Sequence, residues 1–282
     1  MPPGGPADGP VAPAALIDTH VHFHDCFDLR AFLEAASSNL GRAERRLGLE
    51  DGPPPARVLL VMEMETVAPR LLARLATVRE TQSDLGWELE TSEPGSAVLR
   101  HPDLGALALV EGRQIVTAER LELLATPCTV DIPDGLPITR ALREVERHGA
   151  VPILPWGFGK WTGRRGRAVA ALLDSWSPGR FLLADNGGRP RASWKPRLLT
   201  LAAQRGFTVV RGSDPLPQAA DVRRVGSSGS LLRGGFDWTR PAASSRTLLR
   251  YLHQSPRSFG TGVGLVAFAV NQVHVRLRRG AG

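Results

Sequence analysis

Short apolar runs alternate with stretches of helical periodicity along much of the chain. The stretch that follows Asp28, a candidate N-cap, places Leu29, Phe32, Leu33 and Ala36 on one helix face. The apolar runs have the length of strands and read LIDTHVHFHD (16–25), RVLLVMEME (57–65), AVPILPWG (150–157), RFLLADNGG (180–188) and FTVVRGSD (207–214). Apolar strands that alternate with helices indicate parallel strands covered by helices.

Residues 86–130 interrupt this rhythm with several short strand-like runs separated by turns, and VGLVAFAVNQVHVRLR (263–278) predicts a final strand. We predict an α/β fold, a distorted TIM-like (β/α) barrel of seven or eight strands with a small β-rich insertion at 86–130. A doubly wound sheet is the alternative, but the chain lacks a GxGxxG after its first strand and lacks a Walker motif. The predicted organisation is a disordered Pro/Gly-rich tail (1–13) and a single domain (14–282).

Composition and charge limit the classes of partner. The chain has 282 residues, 42% of them hydrophobic, and no run approaches the about 20 apolar residues that span a bilayer. No secretory signal precedes the first strand, and the two cysteines form no disulfide framework, so a cytoplasmic protein without a membrane partner is expected. The net charge is +7, but the 35 basic residues are almost all dispersed arginines, which argues against a nucleic-acid footprint.

The first apolar run carries the strongest chemical signal. Strict alternation along a strand would place Asp18, His20, His22 and His24 on one face and apolar residues on the other. Two imidazoles at i and i+2 can aim at one point, which is a common half of a zinc- or manganese-type site. The other interpretation is a polar layer of the barrel that holds no metal.

The same run resembles the first strand of two families of metal-dependent hydrolases. LIDTHVHFHD is similar to the opening of amidohydrolase-type enzymes and to that of the polymerase and histidinol phosphatase (PHP) superfamily. Three further segments resemble the PHP superfamily, namely EGRQIVTAERLELLA (111–125), GAVPILPWG (149–157) and VVRGSDPLPQAADVRRVGSSG (209–229). The resemblance spans most of residues 15–230 and implies a metal-dependent hydrolase barrel.

The chain departs from the PHP pattern at three expected ligand positions. Gln114 stands where a glutamate is usual, Pro155 and Trp156 stand where a His-Pro pair is usual, and Leu216 takes the place of a histidine after Asp214. The family's centre of two or three metals therefore does not carry over whole. The resemblance retains a reduced ligand set, which is His20, His22, Asp214 and, at the end of the second strand, Glu63. This set is enough for one divalent ion with open positions.

Further polar residues follow the ends of the predicted strands, where barrels carry their sites. Lys160, Arg189 and Arg211 could present a cationic rim to an anionic substrate, beside Asn186 and the apolar wall of Trp156. Lys160 is one of two lysines, and the other 33 of the 35 basic residues are arginine. Unlike a guanidinium, a lysine ammonium is a compact point charge and can act as a titratable amine.

Together these features predict a metal-dependent hydrolase that activates water against a phosphoester or amide-type bond in a small anionic substrate. His20 and His22 would be metal ligands, and Asp214 would be a ligand or the general base. Lys160 and Arg189 would bind the anionic substrate. The rival hypothesis is a degenerate PHP-like barrel that binds a ligand or a partner without catalysis. The sequence predicts no oligomeric state.

Overall fold

The computed structural model describes residues 11–64, 70–79, 86–91, 93–187 and 196–260. The predicted strand 263–278 and the first ten residues of the predicted tail lie outside these ranges. Within them the strands are β1 Val11–Val21, β2 Ala56–Glu63, β3 Glu88–Glu90, β4 Ser96–His101, β5 Gly105–Val116, β6 Glu122–Thr126, β7 Val151–Trp156, β8 Leu182–Asn186, β9 Val209–Gly212, β10 Gly229–Asp237 and β11 Arg257–Phe259. The α-helices are α1 Leu29–Leu47, α2 Leu71–Arg79, α3 Ile138–Arg147, α4 Gly163–Ser175, α5 Arg197–Gln204 and α6 Pro241–Arg250. A 3₁₀ helix spans Ala219–Arg224.

Nine of these strands form one curved sheet in the order β11-β10-β1-β2-β5-β6-β7-β8-β9, and β4 pairs with β5 outside this path. The sheet nearly closes into a barrel where the end of β9 meets β1. There the Asp214 backbone N–H donates to the His20 carbonyl at 2.8 Å, and the Thr19 hydroxyl donates to the Arg211 carbonyl, also at 2.8 Å. The molecule is therefore a mixed α/β protein with a barrel-shaped sheet.

The expectation of parallel strands holds for only part of this barrel. β1–β2, β2–β5, β7–β8 and β8–β9 are parallel pairs, whereas β5–β6, β6–β7 and β1–β10 are antiparallel. A short connection, 117–121, joins β5 to β6, and a connection of that length permits only an antiparallel pair. The β-rich segment predicted at 86–130 is confirmed, but it supplies β5 and β6 to the barrel wall as well as the outer β3 and β4.

Three apolar clusters hold the fold together. One fills the barrel and includes Ile17, Leu60, Val110, Ile153 and Val210. The other two lie on the outer face of the sheet beneath the helices. Strands such as β2, β7 and β8 thus bury both faces, which explains their near-continuous apolar runs in the sequence.

Helix α1 shows how local signals set an element's limits. The Asp28 carboxylate accepts a hydrogen bond from the Ala31 backbone N–H at 2.8 Å, as predicted for an N-cap. Gly48 ends the helix with φ of 67°, a conformation that glycine adopts at little cost. None of the helices in the described ranges is both long and apolar enough to cross a membrane.

Candidate metal centre

A bulge in β1 determines which side chains enter the barrel. Asp18 pairs with Leu59 and Val21 with Val61, so β1 uses one more residue than β2 over this interval. Ile17 accordingly packs inside the barrel, whereas Val21 packs in an outer cluster with Leu59. The extra residue reverses the alternation, as β-bulges do, and turns the next histidines inward.

The bulge also corrects the predicted grouping of Asp18 with the histidines. Asp18 lies on the other face, fully buried, where its oxygens accept from the backbone N–H groups of Ser213 (2.8 Å), His20 (3.3 Å) and Gly226 (3.0 Å). Burial raises the pKa of Asp18 to about 7, and these hydrogen bonds oppose the rise. The side chain ties the segment after β9 to β1 and so fixes the position of Asp214.

Asp214, which follows β9, brings a carboxylate to the histidines at the point where the end of β9 meets β1. Its φ of 45° lies in the left-handed region, and its Oδ2 accepts from Asn186 Nδ2 at 2.8 Å. Its Oδ1 lies 3.7 Å from His20 Nε2 and 3.9 Å from His22 Nε2. Burial by itself would raise the pKa of Asp214. Electrostatic interactions with His20, Lys160, His22 and Arg224 outweigh that effect and hold the pKa of Asp214 below its usual value.

The hydrogen bonds of His22 determine which of its nitrogens is free. His22 Nδ1 lies 2.9 Å from the Met62 carbonyl oxygen, which can only accept, so Nδ1 carries the proton. Burial, followed by the neighbouring His20, lowers the pKa of His22 to about 3, so the ring is neutral at ordinary pH. His22 Nε2 therefore presents a lone pair to the barrel mouth.

The same reasoning applies to His20 through Asn186. Because Asn186 gives its NH₂ to Asp214, its Oδ1 faces His20 Nδ1, at 3.4 Å, and favours a proton on that nitrogen. His20 Nε2 then faces His22 Nε2 at 2.9 Å and Gln114 Oε1 at 3.1 Å. With the histidine protons on Nδ1 and the Gln114 oxygen facing His20, acceptor atoms from three strands converge, an arrangement that a cation would make favourable.

The donor set fits a divalent ion. The ligand atoms of His20, His22 and Asp214 all lie within 4.8 Å of one another. Two atoms bound to one ion at about 2.1 Å lie roughly 3.0–3.4 Å apart for bond angles between octahedral and tetrahedral. In each histidine the second ring nitrogen faces a carbonyl or an amide, as is usual for metal-bound imidazole. The predicted proximity of these three residues at one barrel mouth is confirmed.

Glu63, the fourth predicted ligand, is not brought to this group. It follows Met62, which faces the barrel interior, so Glu63 points outward. Its Oε1 accepts from the Leu71 backbone N–H at 2.9 Å, at the start of α2. Burial raises the pKa of Glu63, with the nearby Glu111 adding to the rise. What β2 supplies to the site is instead the Met62 carbonyl.

The predicted cationic rim is only partly present at the mouth. Arg211 lies on the outer face, with Nη2 3.2 Å from Asp185 Oδ2, and Trp156 packs against an outer apolar cluster rather than lining the site. Arg189 lies outside the described residues. Lys160 does face the mouth, and its ammonium donates to the Glu122 carboxylate.

Sequence reasoning missed the parts played by Glu122 and Asn186. Glu122 comes to the mouth because β6 runs antiparallel to its neighbours, so that its first residue lies level with their carboxyl ends. Asn186 was predicted to bind substrate, but the structure shows it orienting both His20 and Asp214. The signal for Asn186 was its place at a strand end; Glu122 had no comparable signal.

Comparisons with known proteins bear on the fold alone. No protein-family model matches the sequence, and no curated protein matches it. Among solved structures the chain is similar to PsfC from Pseudomonas syringae PB-5123, with a TM-score of 0.50 and 16% sequence identity. The match covers 95% of this chain and 98% of that one, so the likeness concerns the whole architecture.

Proposed function

We propose that the chain is a metal-dependent hydrolase that acts on a phosphoester or amide-type bond in a small anionic substrate. The observation that carries the proposal is the convergence of His20 Nε2, His22 Nε2 and Asp214 Oδ1 on one buried point. A distorted TIM-like barrel of the PHP kind is part of the same proposal, supported by the parallel β1–β2 and β7–β9 pairs. We also propose a cytoplasmic location, which is supported by the free thiols of Cys26 and Cys128.

The residues divide the chemistry between them. A bound divalent ion would lower the pKa of a coordinated water and polarise the scissile bond. His20 and His22 would hold that ion with their ring orientations set by Asn186 and the Met62 carbonyl. Asp214 keeps one oxygen on Asn186, which leaves Oδ1 to bind the ion or to take a proton.

The spacing of the two imidazoles suits an octahedral ion such as manganese, whereas Asp214 Oδ1, at 3.7 and 3.9 Å from them, lies farther away than either an octahedral or a tetrahedral ion requires. The two histidine nitrogens lie 2.9 Å apart. With bonds of about 2.1 Å, neighbouring ligands of an octahedral ion are separated by roughly 3.0 Å, and those of a tetrahedral ion by roughly 3.4 Å. An octahedral ion would also leave positions open for water and substrate.

The second candidate function is ligand binding without catalysis. It is favoured by apolar residues, Pro155 and Leu216, at positions where the PHP pattern has ligands, and by the pairing of Lys160 with Glu122. Such a barrel could still hold an ion. Hydrolysis therefore has to be tested separately from metal content.

The test measures both properties on one preparation. Protein purified without chelator and reconstituted with manganese or zinc should hold about one ion per chain and gain thermal stability, by about 3–4 kcal/mol at 100 to 1,000 times Kd. His22→Ala should abolish both effects, whereas His253→Ala, which removes an exposed histidine, should retain them.

Each outcome of this test has a distinct meaning. Metal-dependent cleavage of a chromogenic phosphoester or anilide would support the hydrolase. A stoichiometric ion with no cleavage across a panel of both bond types would support the binding protein. If the wild-type protein takes up no ion after reconstitution, the site itself is wrong.

A further inference from the structure

A fourth potential ligand, Gln114, faces the same point as the two histidines. Its Oε1 lies 3.1 Å from His20 Nε2, a spacing close to that between the two histidine nitrogens. Gln114 pairs with Leu124 of β6, and both side chains lie on the inner face of the sheet. It is only partly buried, so its amide lies where the barrel interior opens to the mouth.

The contact between Gln114 Oε1 and His20 Nε2 brings two acceptors together when His20 carries its proton on Nδ1, the nitrogen that faces Asn186. The amide oxygen only accepts, and His20 Nε2 carries a lone pair when Nδ1 is bonded to Asn186. Two acceptors at this distance repel each other unless a cation lies beside both. An amide oxygen is moreover a normal ligand for a hard divalent ion.

We propose that Gln114 Oε1 is a ligand of the ion, so that the site holds one ion through two imidazoles, one amide and one carboxylate. The proposal rests on the ion of the proposed function. Of the four ligands only Asp214 carries charge, so a divalent ion leaves the centre with a net charge of about +1. That excess charge favours a substrate whose reacting group is anionic, a phosphoester ahead of a neutral amide.

The rival arrangement has the amide rotated by half a turn, so that its NH₂ donates to His20 Nε2. The two arrangements predict opposite effects when the amide is removed. If Gln114 is a ligand, Gln114→Leu weakens manganese binding. If it is a donor to His20, the same change frees a histidine lone pair and leaves manganese binding equal or tighter.

The experiment titrates manganese into wild type, Gln114→Leu and Gln114→Glu, and follows free Mn²⁺ by electron paramagnetic resonance. Gln114→Leu should weaken binding by at least the roughly 10- to 100-fold that loss of an outer-shell partner costs. Gln114→Glu should bind more tightly than wild type, because a carboxylate replaces the amide oxygen. The control is Gln204→Leu, which alters an exposed glutamine of α5 and should match wild type.

The outcomes separate this inference from the proposed function. Unchanged or tighter binding by Gln114→Leu would overturn the ligand role even if the protein is a hydrolase. Weaker binding by Gln114→Leu would support the ligand role even if no substrate is ever cleaved. If Gln114→Leu fails to fold, Gln114→Glu decides, since equal affinity to wild type would exclude a ligand at this position. A wild type that binds no manganese would overturn both proposals.

Discussion

Polar side chains are buried in two regions of this barrel, at the mouth around His20 and on the outer face around Glu111. In the outer region, Arg70 Nη1 donates to Glu111 Oε1 at 2.8 Å, and Arg113 Nη2 lies 3.2 Å from Asp131 Oδ1. Arg70 also donates to Asp131, at 2.5 Å. In the inner region, the closest contacts of His20 Nε2 are to a second imidazole nitrogen and to an amide oxygen.

The difference between the regions lies in whether the protein supplies the compensating charge. On the outer face the buried Glu111 carboxylate has a guanidinium partner in Arg70, so this cluster is complete without a ligand. The inner group has acceptors on several strands and no cation among its described hydrogen-bonding partners. A buried polar group that the fold leaves uncompensated is a candidate binding site, whereas a compensated one is part of the framework.

Arg70→Ala would convert the outer region into an uncompensated one. We expect a loss of about 2–3 kcal/mol in the free energy of unfolding, because Glu111 would remain buried with Arg113 as its remaining cation. The matched control is Arg74→Ala, in the helix α2 that begins directly after Arg70. Its side chain is 32% exposed against 31% for Arg70, but its partner Asp25 is 79% exposed against 8% for Glu111. The control should lose less than about 1 kcal/mol.

The pH dependence of this loss gives an independent check. Burial raises the pKa of Glu111, and that of Glu63, above the ordinary value of 4.5, so the folded state binds protons more tightly than the unfolded state. Acidification from pH 7 towards 4.5 therefore stabilises the folded protein through these two carboxyl groups. The loss in free energy of unfolding caused by Arg70→Ala should shrink over that range. A deficit in urea unfolding that is constant with pH would show that the carboxylates are not the cause.

The inner region should respond to pH in the opposite direction. With the ion removed, the pKa of His22 is about 3 in the folded protein against an ordinary 6.5. The unfolded chain then binds the extra proton, so stability falls as pH drops below 6.5. Between pH 6.5 and 5 the loss from this one group is about 1.5 kcal/mol.

Urea unfolding of chelated protein across this range measures the effect. His22→Gln, which cannot titrate, should show a shallower fall than wild type, whereas His253→Gln at an exposed position should follow wild type. Equal slopes for wild type and His22→Gln would mean that the folded protein protonates His22 without difficulty. The inner region would then need no cation, and the contrast between the two regions would disappear.

The apolar runs were sufficient to predict most strands that form the site. The predicted runs 150–157, 180–188 and 207–214 contain β7, β8 and β9, and the predicted run 57–65 overlaps β2, which begins one residue earlier. Periodicity locates such strands because burial on both faces leaves few polar residues in them. The first run was also placed correctly, although β1 begins at Val11, inside the predicted tail.

The orientation of side chains was harder to predict, because it depends on pairing between strands. The bulge between Asp18 and Val21 exists only relative to β2, so no pattern within β1 reveals it. The outward position of Glu63 likewise follows from the register of β2 in the barrel. Glu122 reaches the mouth through the reversed direction of β6, which the short connection 117–121 enforces but which becomes evident only when the bounds of β5 and β6 are known.

Lys160 is a cation at the mouth that already pairs with an acid, so it allows a test of the comparison in which the smallest effect is expected. Its ammonium donates to Glu122, the two side chains being 28% and 20% exposed. Its stem lies close to Gly157, where a Cβ would come within 2.5 Å of Lys160 Cδ. If the Lys160–Glu122 pair only stabilises the fold, phosphate should not displace Glu122 from Lys160. If Lys160 serves the site, Glu122→Gln should strengthen phosphate binding a few-fold by releasing the ammonium.

Calorimetric titration with phosphate, on protein with its ion bound, distinguishes these alternatives. Lys160→Arg should weaken phosphate binding because a planar guanidinium does not fit a position packed against Gly157, and Lys160→Ala should weaken it further. All three substitutions should change the free energy of unfolding by less than about 1 kcal/mol, as is usual for a partly exposed pair. Identical phosphate affinities in wild type and the three variants would place Lys160 with the outer framework pairs. A graded series, tightest for Glu122→Gln and weakest for Lys160→Ala, would place it in the site.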